Sequence, residues 1–333
     1  MKPKMFKKGE IVMSLDVSLF YLLNLHHRML SDEIRTKAFQ KAIFEKVNPG
    51  DVVVDIGTGT GILAFFAIQA GAKKVYAIDT SNIIEVAKQI ARDNRILDKI
   101  VFIQNDSREV VLPEKADIII SETIGSFGLE ENICGTLLHG KQNFLKPGGK
   151  IIPEEIELYL TPVFCEGKLE NIKWEFLKNY DINNDSLSDI AVHNTYKTNL
   201  IESNIVSCPK LISKINFTNI EQISYVFKTQ FNLQNCKING LGGWFKAKLS
   251  SNVYIDTSPF SSPTHWMQTY FPLQEVVEAF KDKSTIEVEI RNHPFGNSCF
   301  IEWNIRTSVR EYHHTTFNGL PSIERFFDMY GIS

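Results

Sequence analysis

The sequence predicts an α/β protein in two parts: a doubly wound, Rossmann-like domain, then a β-rich, barrel-like domain with a helical arm inserted. Three observations point there. From about Ser31 to Pro153, short apolar runs alternate with segments of helical periodicity. The first of those runs feeds a glycine-rich turn that opens into a helix. Beyond Pro153 the periodicity becomes two, as in strands with one buried face. At 333 residues the chain has room for two domains. Residues 1–30 are expected as an N-terminal lid, 31–153 as the first domain and 154–333 as the second, with the arm at about 168–192.

In order, DVVVDIG predicts a buried strand and GILAFFAIQAGA a helix closed by Gly71. A second strand, KKVYAID, follows. The stretch SNIIEVAKQIARDNRIL sets Ile83, Ile84, Ala87, Ile90 and Ala91 on one helical face, with Ser81 as N-cap. KIVFIQND and ADIIISE are the third and fourth strands, the latter almost continuously apolar, as a central parallel strand must be. LKPGGKIIP turns into another strand. In the second half, EIELYLTPVF, ISYVFKTQFNL, GWFKAKLS, HWMQTYFPL and STIEVEIRN are expected as strands. KLENIKWEFLKNYDINNDSLSDIA is expected as the helical arm, carrying Trp174, Phe176, Leu177, Tyr180, Leu187 and Ile190. Ile323, Phe326 and Phe327 of the tail are expected to pack in the second domain's core.

Composition removes several classes of function. Thirty-six Lys and Arg against 39 Asp and Glu leave a formal charge of −3, no footprint for a nucleic-acid backbone. No apolar run reaches the ~20 residues that span a bilayer. The lysine-rich N-terminus is interrupted by Asp16 and is not read as a signal peptide. Cys134, Cys165, Cys208, Cys236 and Cys299 lie far apart, without CxxC or metal-ligand spacing. They read as reduced thiols of a cytoplasmic protein without a metal site.

The sharpest chemical signal is VVVDIGTGTGILA, where Asp55 precedes Gly57, Thr58, Gly59 and Gly61 between strand and helix. Glycines there let backbone approach a ligand at the strand's C-terminal end. The third glycine comes one position too early for a dinucleotide fingerprint, and an acid two residues before the first suits a cationic ligand without phosphate. S-adenosylmethionine is such a ligand, giving S-adenosylhomocysteine as product; a nicotinamide cofactor is the alternative. Asp79, followed by Thr80, ends the second strand 18 residues after Gly61, where an acid accepts from ribose hydroxyls. Asp106 and Ser107, after the third strand, are expected near an adenine amine.

The fourth strand runs into SETIGSFGLEEN, whose Glu122 and Glu131 bracket a loop over the same edge of the sheet. Two carboxylates converging on one spot raise the pKa of at least one until a cation arrives. A guanidinium, planar and with paired donors, matches them.

From about His26 to about Arg306 the sequence resembles the protein arginine methyltransferases. HHRMLSDEIRTKAF, VVDIGTGTGILAFFAIQAGAKKVYAID, IISETIGSFGLEEN and SPTHWMQTYFPL carry the resemblance, in order. It implies a class I S-adenosylmethionine-dependent methyltransferase, with Arg35 on the cofactor's carboxylate and Met29 beside the sulfonium. Glu122 and Glu131 would clamp the substrate guanidinium, and Trp266 would wall its pocket. Asp32 and His265 match a hydrogen-bonded pair read in the family as a proton sink or an interdomain strap. The arm implies a homodimer.

Some positions depart from the family. LDVSLF, with Phe20 at its end, replaces an aromatic lid element; Thr123 and Ile124 stand in for Trp and Met; Gly128 replaces an apolar residue. Arg108, with Glu109 beside it, stands where an acid often meets the adenine. These departures leave the acceptor open: an arginine in a protein or peptide, or, through N- or O-methylation, a small guanidino or amine compound or a biosynthetic peptide. A non-catalytic dimeric scaffold is a third reading.

Overall fold

The computed structural model describes residues 17–279 and 284–316. The expected lid residues Leu15 and Asp16 and the tail residues Ile323, Phe326 and Phe327 lie outside them; for residues 17–20, Phe20 included, only backbone is described.

Two helices precede the first strand: α1 (Val17–Ser31) and α2 (Glu33–Lys46). The Asp32 carboxylate caps α2, accepting from the Arg35 N–H at 3.0 Å. Then β1 (Val52–Ile56), α3 (Ile62–Gln69), β2 (Lys74–Asp79), α4 (Ile83–Asp93), β3 (Ile100–Gln104), β4 (Ala116–Ser121), α5 (Ile133–Asn143) and β5 (Leu145–Ile152) alternate. Their strands form one five-stranded parallel sheet in the order β3-β2-β1-β4-β5. All five residues of β1 are buried, Asp55 among them, as a strand covered on both faces requires. The strand order reverses beside β1, which puts the ligand crevice at the C-terminal ends of β1 and β4.

Ser81 does not cap α4. The helix begins at Ile83 after Asn82, and the Ser81 N–H and hydroxyl both donate to Asp79 Oδ1, at 2.8 and 2.7 Å. A nearby carboxylate outcompetes the helix terminus for the serine.

The second half folds into antiparallel sheets. One contains β6 (Glu155–Val163), β7 (Tyr196–Thr198), β8 (Lys210–Asn216), β10 (Cys236–Ser250), β11 (Val253–Asp256) and β12 (Gln268–Ala279), with path β7-β12-β10-β6-β8 and β11 beside β10. The other runs β15-β14-β13-β9, from β9 (Val226–Leu233), β13 (Ser284–Phe295), β14 (Ser298–Arg306) and β15 (Glu311–Thr315). Alternation holds in β9 and β13, where Phe227, Phe231, Leu233, Ile286, Val288 and Ile290 are buried. The expected helical arm consists of α6 (Lys168–Ile172), a 3₁₀ segment (Glu175–Tyr180) and α7 (Asp185–Val192). Trp174 and Asp181, both left-handed, break it at either end of the 3₁₀ segment.

Candidate active site

A cavity of about 340 Å³ lies where the ends of β1, β2, β3 and β4 meet α1 and the second sheet. Its volume suits a small-molecule ligand. Met29, Arg35, Gly57, Thr58, Gly59, Asp79, Thr80, Ser107, Glu122, Glu131, His265 and Trp266, all expected from sequence, line it.

The turn after β1 is shaped by its glycines. Gly57 and Gly59 have φ of 76° and 54°, in the left-handed region. A Cβ on Gly57 would lie 2.9 Å from Thr123 Cγ2, and one on Gly59 would collide with the His26 ring. The Gly59 N–H donates to Asp79 Oδ2 at 2.8 Å, tying the turn to the end of β2. Because a carboxylate offers about four acceptor sites and Gly59 and Ser81 use three, Asp79 retains capacity for one ligand hydroxyl.

Asp32, Asp55, Gly61 and Asp106 lie behind the lining. Asp55 is fully buried beneath the turn, where its Oδ2 accepts from the Thr58 hydroxyl at 2.6 Å. Burial, against that bond, pushes its carboxyl up to about 7. Gly61 caps α3 at φ 86°, with Phe65 and Ala87 pressed where a Cβ would be, so it serves helix packing. The Asp106 carboxylate is held by Arg108 Nε at 2.9 Å and Nη2 at 2.5 Å, and these contacts keep it well below the usual carboxylate range. Asn105 and Ser107 face the cavity from that loop instead.

Arg35, 5% exposed, ties α2 to the loop after β4: its Nε donates to Glu122 Oε2 at 2.7 Å and its Nη2 pairs with the same oxygen. Arg35 Nη1 is buried with no hydrogen-bond partner among the described residues. Such an orphaned donor on a cavity wall fits a ligand carboxylate.

Glu131 completes the pair of acids. Its side chain is exposed to the cavity, yet desolvation by the surrounding protein, then repulsion by Glu122 and Glu130, push its carboxyl up to about 8, while Lys197 and Arg35 pull the other way. Glu130 points elsewhere, accepting from the N–H groups of Phe127 at 2.8 Å and Leu129 at 3.1 Å. Its neighbour Gly125 is required, since a Cβ there would collide with the Glu130 side chain. Gly128 has φ 93°, and a Cβ would sit 2.6 Å from Ile156 Cδ1. An apolar side chain cannot occupy that place.

The second sheet holds this loop. Trp266, 1% exposed, donates from Nε1 to the Ile124 carbonyl at 2.7 Å. Next to it, His265 bonds Asp32 Oδ2 through its N–H at 2.8 Å and Nδ1 at 2.9 Å. Burial raises the Asp32 carboxyl, but the bonds from His265 and Arg35 outweigh it and hold the group below its ordinary value.

The lining also contains His26, Asn105, Lys197 and Asn297, which the sequence reading missed. His26 had a signal, standing one turn before Met29 in HHRML; Lys197 and Asn297 lie in strand and hairpin positions without a local pattern.

Residues 155–306 match the arginine methyltransferase oligomerization subdomain, and residues 35–154 match the ribosomal protein L11 methyltransferase (PrmA) family. Protein arginine N-methyltransferase 6 of Danio rerio is 31% identical over 291 residues, with 82% of each chain covered. The chain belongs to the protein arginine methyltransferase family. Among the family's members, protein arginine N-methyltransferase 1 of Chlamydomonas reinhardtii is 32% identical over 270 residues, covering 78% of each chain. The Trypanosoma brucei PRMT1 enzyme-prozyme heterotetrameric complex with AdoHcy superposes with a TM-score of 0.76 at 25% identity, covering 88% of this chain and 96% of that one. The parallel sheet followed by antiparallel sheets is thus the arginine methyltransferase architecture.

Proposed function

We propose that this chain transfers a methyl group from S-adenosylmethionine to a guanidino nitrogen of arginine. The observation that carries the reading is the pair Glu122 and Glu131 on one cavity wall, where desolvation by the surrounding protein and repulsion between the acids push the Glu131 carboxyl up to about 8 although its side chain is exposed to the cavity. With Glu122 paired to Arg35 and Glu131 making no ion pair among the described residues, a second cation is called for, and a guanidinium can meet both acids.

Bound S-adenosylmethionine supplies an electrophilic methyl on its sulfonium and leaves as S-adenosylhomocysteine. Arg35 Nη1 would take the cofactor's carboxylate, Asp79 a ribose hydroxyl, and Asn105 and Ser107 would face the adenine, while Gly57 and Gly59 keep the floor open. The curated and solved relatives support this choice, since the Trypanosoma brucei complex carries AdoHcy.

The remaining chemistry is positioning. Glu122, fixed by Arg35, and Glu131 would hold the guanidinium so that its charge concentrates away from the attacking nitrogen. That nitrogen gains the methyl and must give up a proton, and Glu131, whose affinity for a proton is already raised, is placed to accept it. Trp266 fixes the loop through Ile124, and Asp32 with His265 straps α2 to the second sheet, a role that occupies both Asp32 oxygens.

We read residues 31–153 as the cofactor-binding domain and 154–333 as the substrate domain. Trp174, Phe176, Tyr180, Ile182 and Ile190 of the arm are exposed apolar residues that a second copy would cover, giving a homodimer. Free cysteines support a cytoplasmic setting.

The test is incubation with methyl-deuterated S-adenosylmethionine and a host lysate split into protein and small-molecule fractions, with the label located by mass spectrometry. Label on protein or peptide arginine supports the reading, whereas label confined to non-guanidino metabolites overturns it. Analytical ultracentrifugation of the chain against an arm variant, Trp174→Ala with Phe176→Ala, tests the dimer.

A further inference from the structure

Lys197 is the feature of the cavity that arginine methylation does not explain. It stands in the middle of β7, opposite Thr269 of β12, which in turn faces Gly243 of β10. The Phe127 ring of the Glu122–Glu131 loop packs on Gly243, so β7 flanks that loop. Tyr196, next to Lys197 in the strand, packs with the apolar cluster of Val163, Leu200 and Tyr270. Strand alternation then turns Lys197 to the opposite side, where it lines the cavity with Glu122, Glu131 and Trp266.

Lys197 has no salt bridge among the described residues, but its charge acts on the carboxyls of Glu131 and Glu130. The cavity's other arginine or lysine, Arg35, is already paired with Glu122. An entering guanidinium therefore meets Glu131 with a free ammonium beside it. A purely cationic acceptor gains little from that arrangement, because repulsion by Lys197 offsets attraction by Glu131. An acceptor bearing a carboxylate within reach of Lys197 while its guanidino group meets Glu131 satisfies both residues at once.

Resting on the arginine reading and narrowing it, we infer that Lys197 is a specificity-determining residue that selects guanidino acceptors carrying an adjacent carboxylate. Two sources share this chemistry: a free guanidino carboxylic acid, and an arginine flanked by Asp or Glu in a peptide. An arginine-glycine repeat lacks the anion.

The experiment compares kcat/KM of the full chain for four acceptors. These are an arginine-glycine repeat peptide, a peptide of the same length with Asp and Glu flanking one arginine, free arginine, and agmatine, its decarboxylated counterpart. Wild type is expected to favour the acidic peptide over the repeat, or arginine over agmatine, by roughly tenfold or more. Lys197→Gln should bring the favoured ratio to within about twofold, and Lys197→Glu should invert it. S-adenosylhomocysteine affinity, measured calorimetrically, should be unchanged in both variants, which shows that they fold. Whichever pair shows the effect identifies the source. Preference for the repeat in wild type, or a ratio indifferent to Lys197→Gln, overturns the inference while leaving arginine methylation standing. Cofactor binding without methylation of any of the four overturns both.

Discussion

Asp32 uses one carboxylate oxygen to cap α2, accepting from the Arg35 N–H, and the other to hold both the backbone N–H and Nδ1 of His265. One side chain thus starts the helix that delivers Arg35 to the cavity and anchors that helix to the second sheet. Asp32→Ala should lose the cap, about 0.5–2 kcal/mol, as well as the strap, whereas His265→Ala should lose the strap alone. Urea unfolding of both variants and of the double mutant measures the difference. The Asp32 carboxyl is held below its ordinary value, so its contribution is present above about pH 4 and fades as the pH falls through the lowered folded value. The gap in stability between wild type and Asp32→Asn should therefore close at acid pH.

Glu131 predicts a pH dependence of acceptor binding. With its carboxyl pushed up to about 8, the free protein holds a proton there at neutral pH, and a guanidinium must displace it. Affinity for the acceptor should rise about tenfold per pH unit below 8 and level off above it. Glu131→Gln should abolish the slope. A slope of the same size in that variant would assign the proton to another group.

The two acids should differ in what their loss does. Glu131→Gln is expected to lower kcat by about 10²-fold or more while leaving S-adenosylhomocysteine affinity nearly unchanged. Glu122→Gln should lower kcat and also weaken the cofactor, since Arg35 Nε and Nη2 lose their charged partner. Calorimetry beside steady-state kinetics separates the two.

Gly59→Ala should weaken cofactor binding strongly. The substitution puts an L-residue at φ 54° and a methyl into the His26 ring, so both strain and collision oppose it. Removing the ring as well, in His26→Ala/Gly59→Ala, should restore part of the affinity. No recovery would mean that strain at Gly59 dominates.

Trp266→Phe keeps a ring in the core but removes the bond to the Ile124 carbonyl. KM for the acceptor should rise, with a loss of stability of about 1 kcal/mol visible in thermal unfolding.

Local patterns carried far. The apolar runs of β1 and β4, the glycine turn and the acids at the ends of β2 and β4 lie where their sequence signals put them. Each is a short-range feature, set by side-chain periodicity or by glycine's freedom at positive φ. Helix α2 was not legible in the same way, because its buried face is only Arg35, Phe39, Ala42 and Ile43 amid charged residues.

What the sequence alone determined is therefore the two-part architecture, the glycine-lined crevice and the pair of glutamates. Tertiary structure decided how the acids divide their work. Glu130 and Glu131 are adjacent and alike in sequence, yet the first accepts backbone N–H groups inside the loop and the second lines the cavity. Asp106 is claimed by Arg108, and Lys197 reaches the site from a strand of the second sheet. Direction, burial and charge pairing depend on neighbours distant along the chain, and desolvation by those neighbours is what gives Glu131 its raised pKa.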